Sequence, residues 1–370
     1  MALSVPVFST SGGYAPGGTL PAFKVVTGIS TGSILATFAF TGDTQVLVGK
    51  NGYGIDHEGQ LLKPYLRKGD TLMTLLSVPN VLKHGAVADL DPLLRQLLGV
   101  LDYGTLHKVA DGARGGRLLM VGAVDVDTAR AVAFDLTEMA LRIDAEHDRA
   151  LREADPKVRK PIDAHAEQLR NCYARAILAS SSAPLAAPPV FIDRIMYVDG
   201  GARFGVFSDD VGSPIHAREA HEPLPAPKAS LYVIVNGTLG LEPVCGYEKD
   251  KNGRCDPKAN HAKWSLPNLG MRSLDILEHQ VYTLSVERII RRSDASHHYR
   301  MAQIRPDSET HWFAMPPELK SLGEGRRTCA QWATIDEDDR HPLQFQAAYM
   351  HCLIDYGRER MASDLKWDAT

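Results

Sequence analysis

The sequence predicts an α/β fold, because short apolar runs typical of buried strands alternate with longer segments of helical periodicity. The clearest case is residues 25–40, VVTGISTGSILATFAF, where a β-branched pair meets a Gly-Ile-Ser-Thr-Gly turn and then a helix-compatible segment. A second run, LYVIV at residues 231–235, is typical of a central strand covered on both faces. With 370 residues, 44% of them hydrophobic, the chain is long enough to bury a large core. A three-layer architecture is therefore expected.

The remaining elements can be assigned in chain order from apolar spacing and from turn residues. Helices are predicted at residues 71–82, 91–101, 137–154, 164–180, 274–290 and 342–362. Strands are predicted at residues 23–26, at two places within 117–135 joined by a turn at 125–128, and at 188–191 and 196–198. The helix at 91–101 has Asp91 as its predicted N-cap, followed by Pro92. We expect one domain over residues 1–370, with a core at about 20–240 and a helical and loop extension at about 241–370.

Composition and charge exclude several classes of protein. A formal net charge of −4 gives no reason to expect a nucleic-acid partner. No apolar run approaches the ~20 residues that a membrane-spanning helix needs. The first residues, MALSVPVFSTSGGYAPGG, have neither the basic start nor the long apolar stretch of a signal peptide. The compartment is left open, and a periplasmic or secreted origin is expected if the chain is truncated at its N-terminus.

The five cysteines allow two interpretations. Cys172 falls in a predicted helix and is expected to be a small buried hydrophobic residue. Two loop-closing disulfides among the other four would suit an exported protein, and five reduced thiols would suit the cytosol. We favour disulfides; the four residues are Cys245, Cys255, Cys329 and Cys352. No metal site is expected, since Cys245, Cys255 and His261 lack the short Cys-x-x-Cys spacing of zinc sites.

The turn after the first strand places Ser30 where a strand passes into a helix. Gly28 and Gly32 flank this serine, and we expect side chains at either position to collide with a strained turn. The Ser30 hydroxyl would then stand at a helix N-terminus, where main-chain N–H groups such as that of Thr31 favour a developing negative charge. This layout is typical of the nucleophile of a serine acyl hydrolase. The alternative is an ordinary Gly-Ser turn without chemistry.

The segment YVDGG at residues 197–201 supplies a carboxylate at the end of a short apolar strand. Asp199 would lie at a strand's C-terminal edge, where the active sites of open α/β sheets collect. Gly200 and Gly201 would let another group approach the main chain closely. The alternative is a simple Asp-Gly turn. None of the fourteen histidines stands in a setting that marks it as a base, although a Ser-His-Asp triad stays open.

Together, GISTGS and the later SSSAP, PPVFID and YVDGG segments resemble the patatin-like phospholipases. The similarity runs over residues 23–235 and extends toward the C-terminus. The resemblance implies a patatin-like fold, with a mostly parallel central sheet flanked by helices. It also implies a lipid acyl hydrolase that uses a Ser-Asp dyad without histidine or cofactor, with Ser30 as nucleophile and Asp199 as base. Its substrates would be phospholipids or other acyl esters, met in transient contact with a membrane surface.

One family feature does not appear in the sequence. Patatin-like enzymes have a glycine-rich loop ahead of the nucleophile that donates N–H groups to the oxyanion, and only the pairs at residues 12–13 and 17–18 could replace it. Losing one such donor can lower the rate ~10²–10³-fold. Three explanations stay open: a truncated chain, a shortened natural variant, or an inactive relative. The alternative function is therefore a catalytically weak or silent module that binds lipid or protein.

Overall fold

The computed structural model describes residues 22–43, 74–75, 86, 88–207, 230–235, 266–292, 298–303, 306–336 and 346–362. The chain divides into two compact units. The first unit consists of Thr19–Leu62 and Thr71–Arg203, and the second of Met1–Gly18, Lys63–Asp70 and Phe204–Thr370. The expected organisation as one domain with a C-terminal extension stays a prediction. No helix in the described ranges is both long and apolar enough to span a bilayer.

The first unit alternates strands and helices. Its described strands are β1 (Val25–Ile29), β2 (Thr74–Leu75), β3 (Ala88–Asp89), β4 (Leu118–Asp125), β5 (Arg130–Asp135), β6 (Val190–Ile192) and β7 (Ile195–Asp199). Its described helices are α1 (Thr31–Thr41), α2 (Asp91–Val100), α3 (Tyr103–Arg114), α4 (Leu136–Arg152) and α5 (Pro156–Ser180). The predicted α/β class is confirmed.

The sheet of this unit is organised around β4, in which every residue before Asp125 is buried. One edge of β4 pairs with β5 from Met120 to Asp125, in antiparallel orientation. A residue has one partner on each edge, so β1 and β7 must share the other edge. β1 pairs there in parallel with Leu118–Gly122, and β7 pairs antiparallel with the three residues that follow. β6 forms a hairpin with β7.

This sheet is mixed, whereas the family resemblance implied a mostly parallel one. Of the pairings among its described strands, that of β1 with β4 is parallel and the others are antiparallel. Short connections account for two of these antiparallel pairings, that of β4 with β5 and that of β6 with β7. Antiparallel neighbours can be joined by tight turns, as in the β4–β5 and β6–β7 hairpins, while a parallel pair needs a long crossover.

Local predictions differ from the structure at several places, among them the following in this unit. Thr74–Leu75 pairs as a strand with β3, although a helix was predicted at 71–82; the rest of that segment lies outside the described residues. The N-cap of α2 is Leu90, and Asp91 is the first helical residue. Helix α5 begins at Pro156, eight residues before the predicted start at 164. Asp155 caps it by accepting a hydrogen bond from the N–H of Lys157.

The second unit has its own core. Its described strands are β8 (Ser230–Val235), β9 (His298–Gln303), β10 (Trp312–Ala314) and β11 (Arg326–Thr328), and its described helices are α6 (Leu266–Arg292), α7 (Cys329–Asp336) and α8 (Ala347–Ala362). The predicted LYVIV strand is present as β8, and it pairs in parallel with β9. Val233 and Val235 of β8 pack with Val286 and Ile289 of α6 in a buried cluster.

The cysteines follow the disulfide interpretation as far as they are described. Cys329, at the start of α7, is bonded to Cys352 in α8, and both are fully buried. Cys172 in α5 is a free thiol and only half-buried, which corrects the expectation of a buried one. Cys245 and Cys255 lie outside the described residues.

Candidate functional site

Ser30 occupies a strained turn between β1 and α1. Its φ of 55° and ψ of −131° lie in a region that residues with a side chain rarely adopt. A conformation of this kind costs about 1–3 kcal/mol and persists only where the surrounding structure holds it in place. Helix α1, which begins at the next residue, is buried along nearly its whole length. The turn is therefore fixed between a partly buried strand and a buried helix.

The two glycines of the motif have different roles. A Cβ added to Gly28 would lie 2.5 Å from the carbonyl oxygen of Gly32 and 2.6 Å from Cα of Ser33, so the turn requires glycine there. A Cβ added to Gly32 would meet nothing within 4 Å among the described residues. The expectation that a side chain at Gly32 would collide with the turn is therefore wrong. Gly32 already lies inside α1, as its second residue.

Both main-chain polar groups of Ser30 are bound by residues far away in sequence. Its N–H donates to the carbonyl and hydroxyl oxygens of Ser180, each at 3.1 Å. Its carbonyl accepts from the N–H of Ser33 at 2.9 Å and from the hydroxyls of Ser33 and Ser181 at 2.6 Å and 2.9 Å. All hydrogen bonds that Ser30 makes with described residues use main-chain atoms. The side-chain oxygen lies outside this network.

Thr31 is the first residue of α1, and its N–H belongs to the first helical turn. Main-chain N–H groups in that turn point toward the N-terminus and carry the positive end of the helix dipole. The first turn of α1 contains no acidic side chain, and no side chain caps it. The glycine pairs at 12–13 and 17–18 lie outside the described residues, so their expected role stays untested.

Asp199 is the last residue of β7 and is buried, with 1% of its surface exposed. Its Oδ1 accepts a hydrogen bond of 2.7 Å from the N–H of Gly201. Its own N–H donates to the carbonyl oxygen of Ser182 at 2.9 Å. The carboxylate is thus held at the end of the strand by the glycine-containing turn that follows it.

The strands that carry Ser30 and Asp199 end at the same point of the sheet. Ile29, the last residue of β1, lies opposite Gly122 of β4, and Asp199 lies opposite the next residue, Ala123. Because β1 and β7 share one edge and run in opposite directions, their C-terminal ends meet head to head. A Cβ on Gly200 would lie 2.7 Å from the Gly122 carbonyl oxygen, so the close main-chain approach expected of this glycine is present.

The histidines described in this unit lie in its helices. Each contacts a side chain of that helical layer: His107 Nδ1 lies 2.7 Å from Asp144 Oδ1, His165 Nδ1 lies 3.6 Å from Glu146 Oε2, and the ring of His147 stacks on Tyr103 at 3.8 Å. In the part of the unit that the structure describes, none of the three contacts Ser30. The hydrogen bond to Asp144 raises the pKa of His107.

Helix α1 is also fixed beyond its first turn. The Thr37 hydroxyl lies 3.0 Å from the phenol oxygen of Tyr173 in α5, and burial raises the pKa of that phenol. At the far end, the Arg117 guanidinium donates to the carbonyl oxygens of Phe23, at 2.7 Å, and Phe40. It lies over the Phe40 ring, 4.0 Å from the centroid, and burial lowers its pKa. Arg117 therefore ties together the two ends of the β1–α1 segment.

The contacts of residues 180–182 were not predicted, since SSSAP was used only as part of the family resemblance. Ser180 and Ser181 bind the main chain of Ser30, and Ser182 binds the main chain of Asp199. The hydroxyl of Ser182 also donates to the carbonyl of Pro188, which closes the connection to β6. Three consecutive serines at the end of an amphipathic helix were the available signal, because serine there readily hydrogen-bonds main-chain groups.

Two comparisons with known proteins bear on the family of this chain. No curated protein is significantly similar to the chain. The family model described as patatin-like phospholipase matches residues 11–209, more than half of the 370 residues, and covers the β1–α1 turn, α5 and the β6–β7 hairpin. The chain therefore belongs to the patatin-like phospholipase family.

Proposed function

We propose that this protein hydrolyses ester bonds of acyl lipids, with Ser30 as the nucleophile and Asp199 as the base that takes its proton. Membership in a phospholipase family supports the lipid acyl hydrolase class. The observation that supports the two residues is the head-to-head meeting of β1 and β7 opposite Gly122 and Ala123. The substrate is a phospholipid or a related acyl ester, reached in transient contact with a membrane surface.

The chemistry follows the general covalent scheme for an activated serine. Asp199 takes the hydroxyl proton while Ser30 Oγ attacks the ester carbonyl carbon. The N–H groups at the start of α1, with that of Thr31 first, stabilise the oxyanion. The alcohol leaves with the proton from Asp199 and an acyl-enzyme remains. Water then attacks the acyl group, Asp199 takes its proton, and the released Ser30 oxygen is reprotonated as the fatty acid departs.

Two features favour a dyad over a histidine-dependent triad. The turn formed by Gly200 and Gly201 holds the Asp199 carboxylate at the end of β7, beside the end of β1. The described histidines of this unit contact Asp144, Glu146 and Tyr103 in the helical layer.

Covalent labelling with a fluorophosphonate probe tests the nucleophile. We expect the wild-type protein to be labelled at Ser30 and Ser30→Ala to remain unlabelled. A wild-type protein that stays unlabelled under conditions that label a known serine esterase contradicts the proposal. That result would favour a silent module that binds lipid or protein.

Turnover of phospholipid vesicles and of a soluble ester tests the base. Asp199→Asn is expected to lower kcat by about 10²-fold or more, because general-base assistance contributes roughly 10²–10⁴-fold. Asp193→Asn is the matched control, since Asp193 lies exposed in the turn of the same hairpin at a positive φ that asparagine tolerates. Near-normal turnover by Asp199→Asn would place the base elsewhere and favour a histidine triad.

A further inference from the structure

The carbonyl group of Ser30 is held by two serine hydroxyls from different helices. Ser33 Oγ, in α1, lies 2.6 Å from the Ser30 oxygen, and Ser181 Oγ, at the end of α5, lies 2.9 Å from it. The two hydroxyl oxygens are 3.1 Å apart. Ser33 is fully buried. The strained turn is therefore connected to α5 by a small hydroxyl network in the interior.

The hydroxyls of Ser33 and Ser181 share the same acceptors, so the loss of one hydroxyl changes the hydrogen bonds of the other. Each hydroxyl has one proton to donate. Both hydroxyls lie within reach of the same two carbonyl oxygens, those of Ser30 and of Ile177, the latter at 3.3 Å from Ser33 and 3.1 Å from Ser181. Two hydroxyl protons thus serve two acceptors, and removing either hydroxyl leaves one of these carbonyls with only its main-chain donor, the N–H of Ser33 or of Ser181.

The neighbouring serines complete the connection. Ser180 accepts the N–H of Ser30, and the Ser182 carbonyl accepts the N–H of Asp199 at 2.9 Å. Consecutive residues at the end of α5 therefore contact the main chain on both sides of the proposed dyad. A positive φ at a residue with a side chain persists only where its surroundings over-determine it. Among the described residues, the partners of the Ser30 main chain outside its local segment are Ser180 and Ser181.

We propose that Ser181, together with Ser33, is a positioning residue that holds the Ser30 carbonyl and so keeps the Ser30 hydroxyl aimed at the substrate and at Asp199. The proposal rests on the function proposed above for Ser30. Ser181 acts on the reaction through the main chain of Ser30, and its hydroxyl neither attacks the ester nor moves a proton to it. Loss of this hold changes the orientation of the nucleophile and leaves the Asp199 carboxylate on its Gly201 contact.

Steady-state kinetics on a soluble ester, with the rate of fluorophosphonate labelling, tests the proposal. Ser181→Ala is expected to lower kcat and the labelling rate by about tenfold or more while KM stays within about twofold, because a small misplacement of a reacting group is costly. Ser181→Thr keeps the hydroxyl and is expected to retain most of the rate. Ser33→Ala removes the other hydroxyl and should have a similar effect.

Tyr173→Phe is the matched control, because it removes one buried hydroxyl contact between the same two helices, the 3.0 Å contact to Thr37, away from the turn. It should leave kcat unchanged. Wild-type kcat in Ser181→Ala, or an equal loss in Tyr173→Phe, would overturn the inference.

A crystal structure of the Ser33→Ala/Ser181→Ala double variant gives a readout that does not depend on activity. We expect Ser30 to relax toward negative φ. A double variant that keeps the positive φ overturns the positioning role, whatever the kinetics. Retained ester turnover in Ser30→Ala would instead count against the proposed function. The φ of Ser30 in the double variant would still test the positioning role.

Discussion

Gly200 lies so close to Ile29 that a Cβ at position 200 would stand 3.0 Å from the Ile29 Cγ2 atom. The same Cβ would lie 2.7 Å from the carbonyl oxygen of Gly122, a main-chain atom that cannot rotate away. This contact joins the end of β7 to the end of β1. The absence of a side chain at residue 200 is what allows the two strand ends to meet.

Replacing Gly200 by alanine is expected to separate these strand ends. Overpacking of this kind costs about 1–3 kcal/mol in free energy of unfolding. Because the displaced main chain adjoins Asp199, fluorophosphonate labelling should slow by about tenfold or more. Chemical denaturation and labelling rates measure the two effects. Gly99→Ala in α2, where a Cβ meets nothing within 4 Å among the described residues, is the control and should be neutral or stabilising. An unperturbed Gly200→Ala variant would show that the strand ends are not in contact.

The glycines around Ser30 should respond differently to alanine. Gly28→Ala would bring a Cβ within 2.8 Å of three main-chain atoms of α1, so we expect a loss of about 3 kcal/mol or failure to fold. Gly32→Ala has open space and a helical position, so it should gain up to about 1 kcal/mol. Thermal unfolding of the Gly28→Ala and Gly32→Ala variants measures the difference in stability. Equal destabilisation by both substitutions would contradict the described turn.

The pair His107 and Asp144 should titrate away from the usual range. The hydrogen bond to Asp144 raises the pKa of His107. Burial alone would raise the pKa of Asp144, but the hydrogen bonds from Arg114 and His107 hold it below its usual value. His107 thus contributes stability that is fully present below its unfolded pKa, about 6.5, and is lost as the pH rises through its folded pKa.

An NMR titration of the His107 ring protons measures this. The midpoint should lie above about 6.5 in the wild-type protein and fall in Asp144→Asn, which removes the carboxylate. His147→Asn is the control, which removes the ring signals of His147 and should leave the titration midpoint of His107 unchanged. A His107 midpoint that is insensitive to Asp144→Asn would contradict the pairing.

Removal of the disulfide between Cys329 and Cys352 should destabilise the second unit. A bond that closes a loop of 23 residues restricts the unfolded chain, and its loss is expected to cost about 3 kcal/mol. Because both sulfurs are buried, mild reductant should act slowly on the native protein. The Cys329→Ser/Cys352→Ser variant, compared by thermal unfolding with Cys172→Ser, measures the effect. Peptide mapping without reduction should recover the two cysteines in one linked pair.

Local elements of the fold follow from the sequence because their signals lie within a few residues. Two strands within residues 117–135, joined by a turn at 125–128, were predicted from apolar spacing and turn residues, and they are present as Leu118–Asp125 and Arg130–Asp135. The Asp125 side chain accepts the N–H groups of Asp127 and Thr128 in that turn. The start of α5 was missed for a local reason as well. Pro156 lies in the first helical turn, where proline is well tolerated, and the helix continues through Pro161.

The arrangement of the site could not be read in the same way. Ser30 and Asp199 were each predicted from their own segments and paired by resemblance. That β1 and β7 share one edge of β4 depends on which strand edges pair, and no local pattern encodes this choice. The hydroxyls of Ser33 and Ser181 were missed for a similar reason, since their common acceptor is one carbonyl oxygen brought to them by folding.

The ends of β1 and β7 lie opposite two consecutive residues of β4, Gly122 and Ala123. These residues are joined by one peptide bond, so the two positions of β4 that face the strand ends have Cα atoms about 3.8 Å apart. Insertions in the surface loops between Ser30 and Asp199 leave that length untouched, however much they lengthen the intervening chain. One residue inserted between Gly122 and Ala123 would separate the strand ends and reverse the face of every β4 residue beyond it. Surface loops between the two segments can therefore change in length without moving the strand ends, whereas β4 cannot.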